Sequence, residues 1–111
     1  MNTTIEETQV KVVLISEDYL DASNVKDFKK EVAPAIEASR KVVLDLSKVQ
    51  FVDSSGLGAI LSCLRQLNGK GGDLKVCGLA KSVRALFELV RMHKVVDIYN
   101  TSQEALAAFC D

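Results

Sequence analysis

The sequence has no tryptophan, one proline, one histidine and three cysteines in 111 residues. Each shortage closes off a class of function. The single histidine, His93, has no cysteine nearby and no second histidine at helical spacing, so no zinc or metallohydrolase motif assembles around it. Cys63, Cys77 and Cys110 are odd in number, widely separated and form no CxxC pair. They read as three reduced thiols, two of them inside core elements. No apolar run approaches the ~18 residues that a membrane-crossing helix requires. The opening segment MNTTIEETQ is polar and acidic, unlike a signal peptide, and the expected compartment is the cytoplasm. The 14 basic and 15 acidic side chains nearly cancel, to a net charge of -1, and no dense basic cluster is present. That argues against a nucleic-acid binder and against a polybasic membrane surface.

What remains is a chain with 48% hydrophobic and 26% charged residues, the length of one domain and able to bury a core. No linker, repeat or low-complexity segment divides it, so residues 1–111 read as a single domain. Val10 to Ile15 is β-branched and apolar, a strand, and Thr3-Thr4-Ile5 before it reads as a short edge strand. Asp18 to Asn24 is expected to be a polar loop in which Asp21 or Ser23 caps the next helix. Val25, Phe28, Val32 and Ile36 recur at three- and four-residue steps and predict that helix over 24–39, with Pro34 expected to kink or interrupt it. Lys41 to Leu46 is a near-continuous apolar run, the pattern of a central strand, and Ser47 to Val52 is a short connector. Leu57, Ile60, Leu61, Leu64 and Leu67 form one helical stripe, with Gly69 a candidate C-cap and Gly71-Gly72 a turn. Asp73 to Cys77 alternates as a strand; Val83, Leu86, Phe87 and Val90 mark a helix; Val95 to Tyr99 is a short strand. Thr101 and Glu104 fit a capping box for a closing helix over Ala105 to Phe109. The order ββαβαβαβα predicts an α/β fold, with a mixed, mostly parallel sheet of four to five strands and about four helices. The first strand pair would supply an antiparallel edge.

Where the connector meets the second predicted helix lies Phe51-Val52-Asp53-Ser54-Ser55-Gly56-Leu57-Gly58. Asp and Ser are natural caps at a helix N-terminus, where unpaired amides and a partial positive charge collect. The same physics would retain a phosphate placed on a serine there. Gly56 and Gly58 each cost helix stability, roughly 1 kcal/mol relative to Ala, which points either to close approach at this backbone or to a tight turn. Opposite the leucine stripe lie Gly58, Ala59, Ser62, Cys63, Arg65 and Gln66, a face expected to point outward and open to another protein. Rival chemistries lack their motifs. Gly69-Lys70-Gly71-Gly72 has neither the spacing nor the following helix of a phosphate loop, and Gly56-Leu57-Gly58 lacks the third glycine of a dinucleotide fingerprint. Ser54 sits in no GxSxG elbow, with His93 as its only available base. No metal, cofactor or catalytic acid/base constellation is present in the pattern.

Phe51 to Gly58 resembles the signature of STAS domains, specifically of stand-alone bacterial anti-sigma factor antagonists. Leu20-Asp21, VVLDLS, GGDLKVCG and VRALFELV fall in that family's order, so the resemblance covers essentially the whole chain. It implies partner switching rather than catalysis. The unphosphorylated antagonist binds an anti-sigma factor and frees a sigma factor. The anti-sigma factor, a histidine-kinase-like ATPase, phosphorylates the hydroxyl residue after the Asp, here Ser54. A PP2C-type serine phosphatase reverses the step. Asp53 would orient the hydroxyl, Ser55 would be a neighbouring cap or contact, and Asp21 and Ser23 would lie on the partner face. Gly56, Leu57, Gly58 and Ser62 would complete the switch surface. Three departures stand out. Asp18 replaces a common Gly, implying a different loop; Ala80-Lys81 replaces Ser-Pro, implying a weaker helix cap; Val90-Arg91 replaces Ser-Gly, implying a longer helix. Two other readings are a STAS subunit bound constitutively to a lipid-transport ATPase, and a hydrolase pairing Ser54 with His93.

Overall fold

Val42, Val43 and Leu44 are wholly shielded from solvent at the middle of Lys41–Asp45, because this strand is covered on both faces. The computed structural model describes residues 9–110 and builds outward from that strand. In chain order the elements are β1 (Val10–Leu14), β2 (Tyr19–Leu20), α1 (Val25–Ala38), β3 (Lys41–Asp45), β4 (Phe51–Val52), α2 (Ser54–Gly69), β5 (Asp73–Cys77), α3 (Lys81–Leu89), a 3-10 turn (Met92–Lys94), β6 (Asp97–Tyr99) and α4 (Ser102–Cys110). The main sheet has the order β1-β3-β5-β6, with every pairing parallel. The α/β class and the four helices agree with the sequence pattern. The expected edge strand at Thr3–Ile5 lies outside the described residues.

The two faces of the sheet are covered unequally. Phe28, Val32 and Ile36 of α1, Ile60, Leu64 and Leu67 of α2, and Val83 and Phe87 of α3 join Val42, Leu44, Leu74 and Val76 in the main core. On the other face, among the described residues, α4 alone supplies the cover, with Ala105 and Phe109 over Val43, Cys77 and Tyr99. Cys63 and Cys77 are buried free thiols, as the sequence pattern implied, and Cys110 is free and exposed. Burial pushes the Cys63 and Cys77 thiols up to about 11, so both stay protonated and inert at neutral pH.

Several local expectations are corrected by packing. Two residues of the supposed loop Asp18–Asn24 form β2, which pairs in parallel with β4 inside the supposed connector, as a separate two-stranded sheet. Neither segment is long enough to show a strand periodicity. Helix α1 runs through Pro34 without interruption. Pro34 and Lys30 are both exposed, so water can serve the one carbonyl that loses its donor. Gly69 is the last residue of α2 rather than its cap. Gly71 takes the left-handed position at φ 79°, with its amide on the Asn68 carbonyl and that of Gly72 on the Leu67 carbonyl, a Schellman closure. Helix α3 has Ala80 at its N-cap with no side-chain cap bond, as its sequence implied, but does not extend through Val90-Arg91. It stops at Leu89, and Arg91 adopts φ 65° where glycine is ordinarily favoured. The Thr101 hydroxyl accepts the Glu104 amide at 3.1 Å, and Glu104 accepts the Asn100 amide at 3.0 Å, so the capping box closes one residue earlier than the standard pattern.

Lys75 breaks the alternation expected of β5. It is 7% exposed on the α4 side of the sheet. Its ammonium donates to Asp97 at 2.8 Å, meets Asp73 at 3.4 Å and lies 4.6 Å from the centre of the Phe109 ring. Burial alone would lower the Lys75 pKa. The hydrogen bond to Asp97 and the charges of Asp97, Tyr99 and Asp73 outweigh it, so the group sits above its ordinary 10.5.

Two predictions follow from these positions. Arg91→Gly relieves a left-handed side-chain conformation and is expected to raise stability by about 1 kcal/mol in urea unfolding. Because the Lys75 pKa is raised on folding, the ion cluster stabilises fully below the ordinary lysine value and its contribution fades as pH rises through the folded value. Lys75→Met is therefore expected to unfold with a shallower decline above pH 10.5 than the parent, read as thermal midpoint against pH.

Candidate functional site

The signature begins as extended chain and turns sharply into α2. Asp53, at φ -107° and ψ -172°, is the N-cap, and its carboxylate accepts the Gly56 amide at 3.0 Å. The Leu57 amide closes the first helical bond on the Asp53 carbonyl at 3.0 Å. Ser54 and Ser55 are thus the first two helical residues, both exposed. Among the described residues neither hydroxyl is hydrogen-bonded, and neither of their amides donates to the chain. Asp53 bonds the helix backbone and makes no hydrogen bond to the Ser54 hydroxyl, and Ser55 makes no cap bond, which leaves it the contact position that the resemblance also allowed.

The small sheet sets what lies beside the motif. Leu20 pairs with Val52 in parallel register, so the connectors after both strands emerge side by side. The Leu20 carbonyl accepts the Asp53 amide at 3.2 Å. A Cβ on residue 56 would stand 2.4 Å from that same oxygen and 2.9 Å from a Val52 methyl, so only glycine fits there. Gly58 has nothing within 4 Å of its would-be Cβ and is exposed. The two glycines therefore separate: one is demanded by internal packing, the other lies against open space.

After β2 the chain folds into a tight turn. Asp21 accepts the Ser23 amide at 2.9 Å and the Ser23 hydroxyl at 2.6 Å, while its carbonyl receives the amides of Asn24 and Val25. Asp21 and Ser23 do not cap α1 with their side chains. Asn24 occupies the cap position, makes no cap bond and turns back instead. Its Oδ1 accepts the Asp21 amide and its Nδ2 donates to the Tyr19 carbonyl, both at 2.9 Å. Asn24, 6% exposed, is the brace that the sequence reading missed; a lone Asn in a polar stretch carries no periodic signal.

Phe51 was also overlooked as a surface group. It is 55% exposed at the start of the motif, beside a depression of about 210 Å³ floored by Val52, Val83 and Leu86. Leu57 and Gly56 are buried and present no area outward; they hold the helix in place. Ser62 is half-buried. Ala59 and Cys63, expected on the outer face, lie in the core. The exposed residues of α2 are therefore Ser54, Ser55, Gly58, Arg65, Gln66, Asn68 and Gly69. His93 is exposed on the 3-10 turn and makes no hydrogen bond to Ser54, and no trio of metal-ligating side chains occurs among the described residues. No helix among them is long and apolar enough to cross a membrane. What the geometry offers is a surface with one exposed aromatic, two unbonded hydroxyls and two free amides, near the half-buried carboxylates of Asp21 and Asp53.

Two substitutions test this division of the glycines. Gly56→Ala forces a methyl against backbone and is expected to cost about 1–3 kcal/mol in denaturant unfolding. Gly58→Ala meets no atom, and its helix propensity should raise stability by about 1 kcal/mol.

Comparison with known proteins agrees with this form. The sequence profile of the STAS domain matches residues 2–105. The candidate anti-sigma factor antagonist BtrV of Bordetella bronchiseptica is 27% identical over 110 residues, covering 98% of this chain and 95% of that protein. A crystal structure of an anti-sigma factor antagonist from Mycobacterium paratuberculosis superposes with a TM-score of 0.82 at 26% identity, over 92% of this chain and 86% of that one. The Bacillus cell fate determinant SpoIIAA, solved in its phosphorylated form, shares the fold at 21% identity with a TM-score of 0.67, over 91% of each chain. With an α/β core, a helix capped by Asp53 at the signature, and relatives named for anti-sigma factor antagonism, the chain belongs to the STAS domain family.

Proposed function

We propose that this protein is a cytoplasmic anti-sigma factor antagonist whose docking is switched by phosphorylation of Ser54. The observation that carries the reading is the position of Ser54: exposed, first in α2, and not used by the fold, since Asp53 supplies the cap. The hydroxyl oxygen would attack the γ-phosphorus of ATP on a partner kinase, releasing ADP and the hydroxyl proton. The partner would be an anti-sigma factor with a histidine-kinase-like ATPase fold, and a PP2C-type phosphatase would hydrolyse the ester. The protein itself is substrate and ligand, not catalyst.

A phosphate at this position adds about two negative charges beside a helix N-terminus whose first amides are free, so the helix retains it without melting. The partner meets a different surface. Asp21 and Asp53 already make this region acidic, and Phe51 and Gly58 provide a dry contact and a close approach. Adding charge and its hydration shell opposes burial of that contact.

Incubation with ATP and the kinase-type anti-sigma factors of the same genome, followed by mass mapping, is expected to show one phosphate, absent in Ser54→Ala and retained in Ser55→Ala. Ser54→Asp is expected to weaken the complex about tenfold or more with an unchanged unfolding midpoint, and Phe51→Ala to weaken it by a similar factor. Absence of phosphorylation by every such partner, with tight constitutive binding to a transport ATPase, would overturn the switch. Ester hydrolysis abolished by His93→Ala would overturn the non-catalytic reading.

A further inference from the structure

A second surface lies at the opposite end of α2. Leu61 and Leu64 of the helix face Val90, Met92 and Val95 of the segment after α3 across a groove of about 940 Å³. Leu64 and Met92 are buried at its floor, whereas Val90 and Val95 are about half exposed. Its rim is basic: Arg65, Arg91 and Lys94 all line it, and no acid does. Among the described residues none of these three cations is in a salt bridge; the ion pairs engage Lys75 and Arg84 instead. An unpaired cationic rim around an apolar floor stands out on a chain whose net charge is -1. Arg91 holds this place in a left-handed conformation that glycine would take without strain.

We propose that this groove binds an acidic amphipathic helix of a protein partner. Charge complementarity requires acids flanking an apolar stripe. A helix is favoured over an extended strand because little of either wall's backbone is left to share. The amides of Val90, Arg91, Lys94 and Val95 are bonded to the carbonyls of Leu86, Glu88, Arg91 and Met92, and the other wall is the interior of α2. An occupant must bring its own satisfied backbone and contribute side chains alone. The groove residues of α2 lie seven to fourteen positions beyond Ser54, roughly 10–20 Å along the helix, so this surface is separate from the modification site and does not rest on the function proposed for it.

The test uses the whole protein and two labelled helical peptides. One carries leucines at three- and four-residue spacing with glutamates on both flanks; the other has lysines in place of the glutamates. Fluorescence anisotropy is expected to show binding of the glutamate peptide that weakens with salt, and at least about tenfold weaker binding of the lysine peptide. The triple variant Arg65→Glu, Arg91→Glu, Lys94→Glu should lose at least about tenfold in affinity for the glutamate peptide, and Val95→Asp likewise, whereas Ser54→Asp should bind it unchanged. Should the triple reversal fail to fold, glutamine at the same three positions gives the same reading. Equal binding of the two peptides, no binding of the glutamate peptide, or full affinity in the charge variants overturns the proposal. So does self-association of the chain that Val95→Asp abolishes, which would make a second copy the occupant.

Discussion

The carbonyl of Leu20 is where the fold and the functional surface meet. It takes the Asp53 amide and leaves no space for a side chain at Gly56, so the first turn of α2 is pressed onto the end of β2. Because β2 is only two residues long, this contact and the pairing with β4 define its place. Everything near Ser54 inherits its position from that junction: the Asp21–Asn24 turn, braced by Asn24, on one side, and Phe51 on the other. A methyl group at residue 56 would disturb all of it through a steric overlap with backbone, which cannot move aside as a flexible side chain can.

The junction also separates structural duty from chemical opportunity within four residues. Asp53 caps, Gly56 packs, and Ser54 and Ser55 do neither. A helix that depended on a serine cap would lose that bond on modification, whereas one capped by a neighbouring aspartate keeps its start whatever is attached to the serine. Exposure, unbonded hydroxyls and free first-turn amides then coincide at one spot. This coincidence is physical and needs no reference to the partner.

Elsewhere the architecture is decided by unequal layers. Three helices cover one face of the parallel sheet, and α4 alone covers the other among the described residues. A short helix cannot supply enough apolar area, and the space beside it is filled by the stem of Lys75, whose charge is held by Asp97 and Asp73 and by the face of Phe109. The buried cation is tolerable because its carboxylate partners keep 44% and 59% of their side-chain surface in water, which spares the cluster the cost of desolvating three charges together.

The sequence by itself determined the α/β class, the helices α1 to α4 and the strands of the main sheet, because each of these rests on periodicity or cap chemistry confined to a few neighbouring residues, whereas the signature was legible through its resemblance to STAS domains. Val42 to Leu44 and the leucine stripe of α2 were legible in that way, and so was the capping box at Thr101. Only the tertiary structure decided the rest. A two-residue strand has no period, so β2 and β4 exist only as a pair. Which glycine is obligatory depends on an oxygen more than thirty residues away. Ala59 and Cys63 look outward on a helical wheel drawn for one stripe, yet α2 packs on both α1 and the sheet and buries a wider arc. The left-handed Arg91 and the groove it lines arise where α3 ends against α2, an encounter that no local pattern encodes.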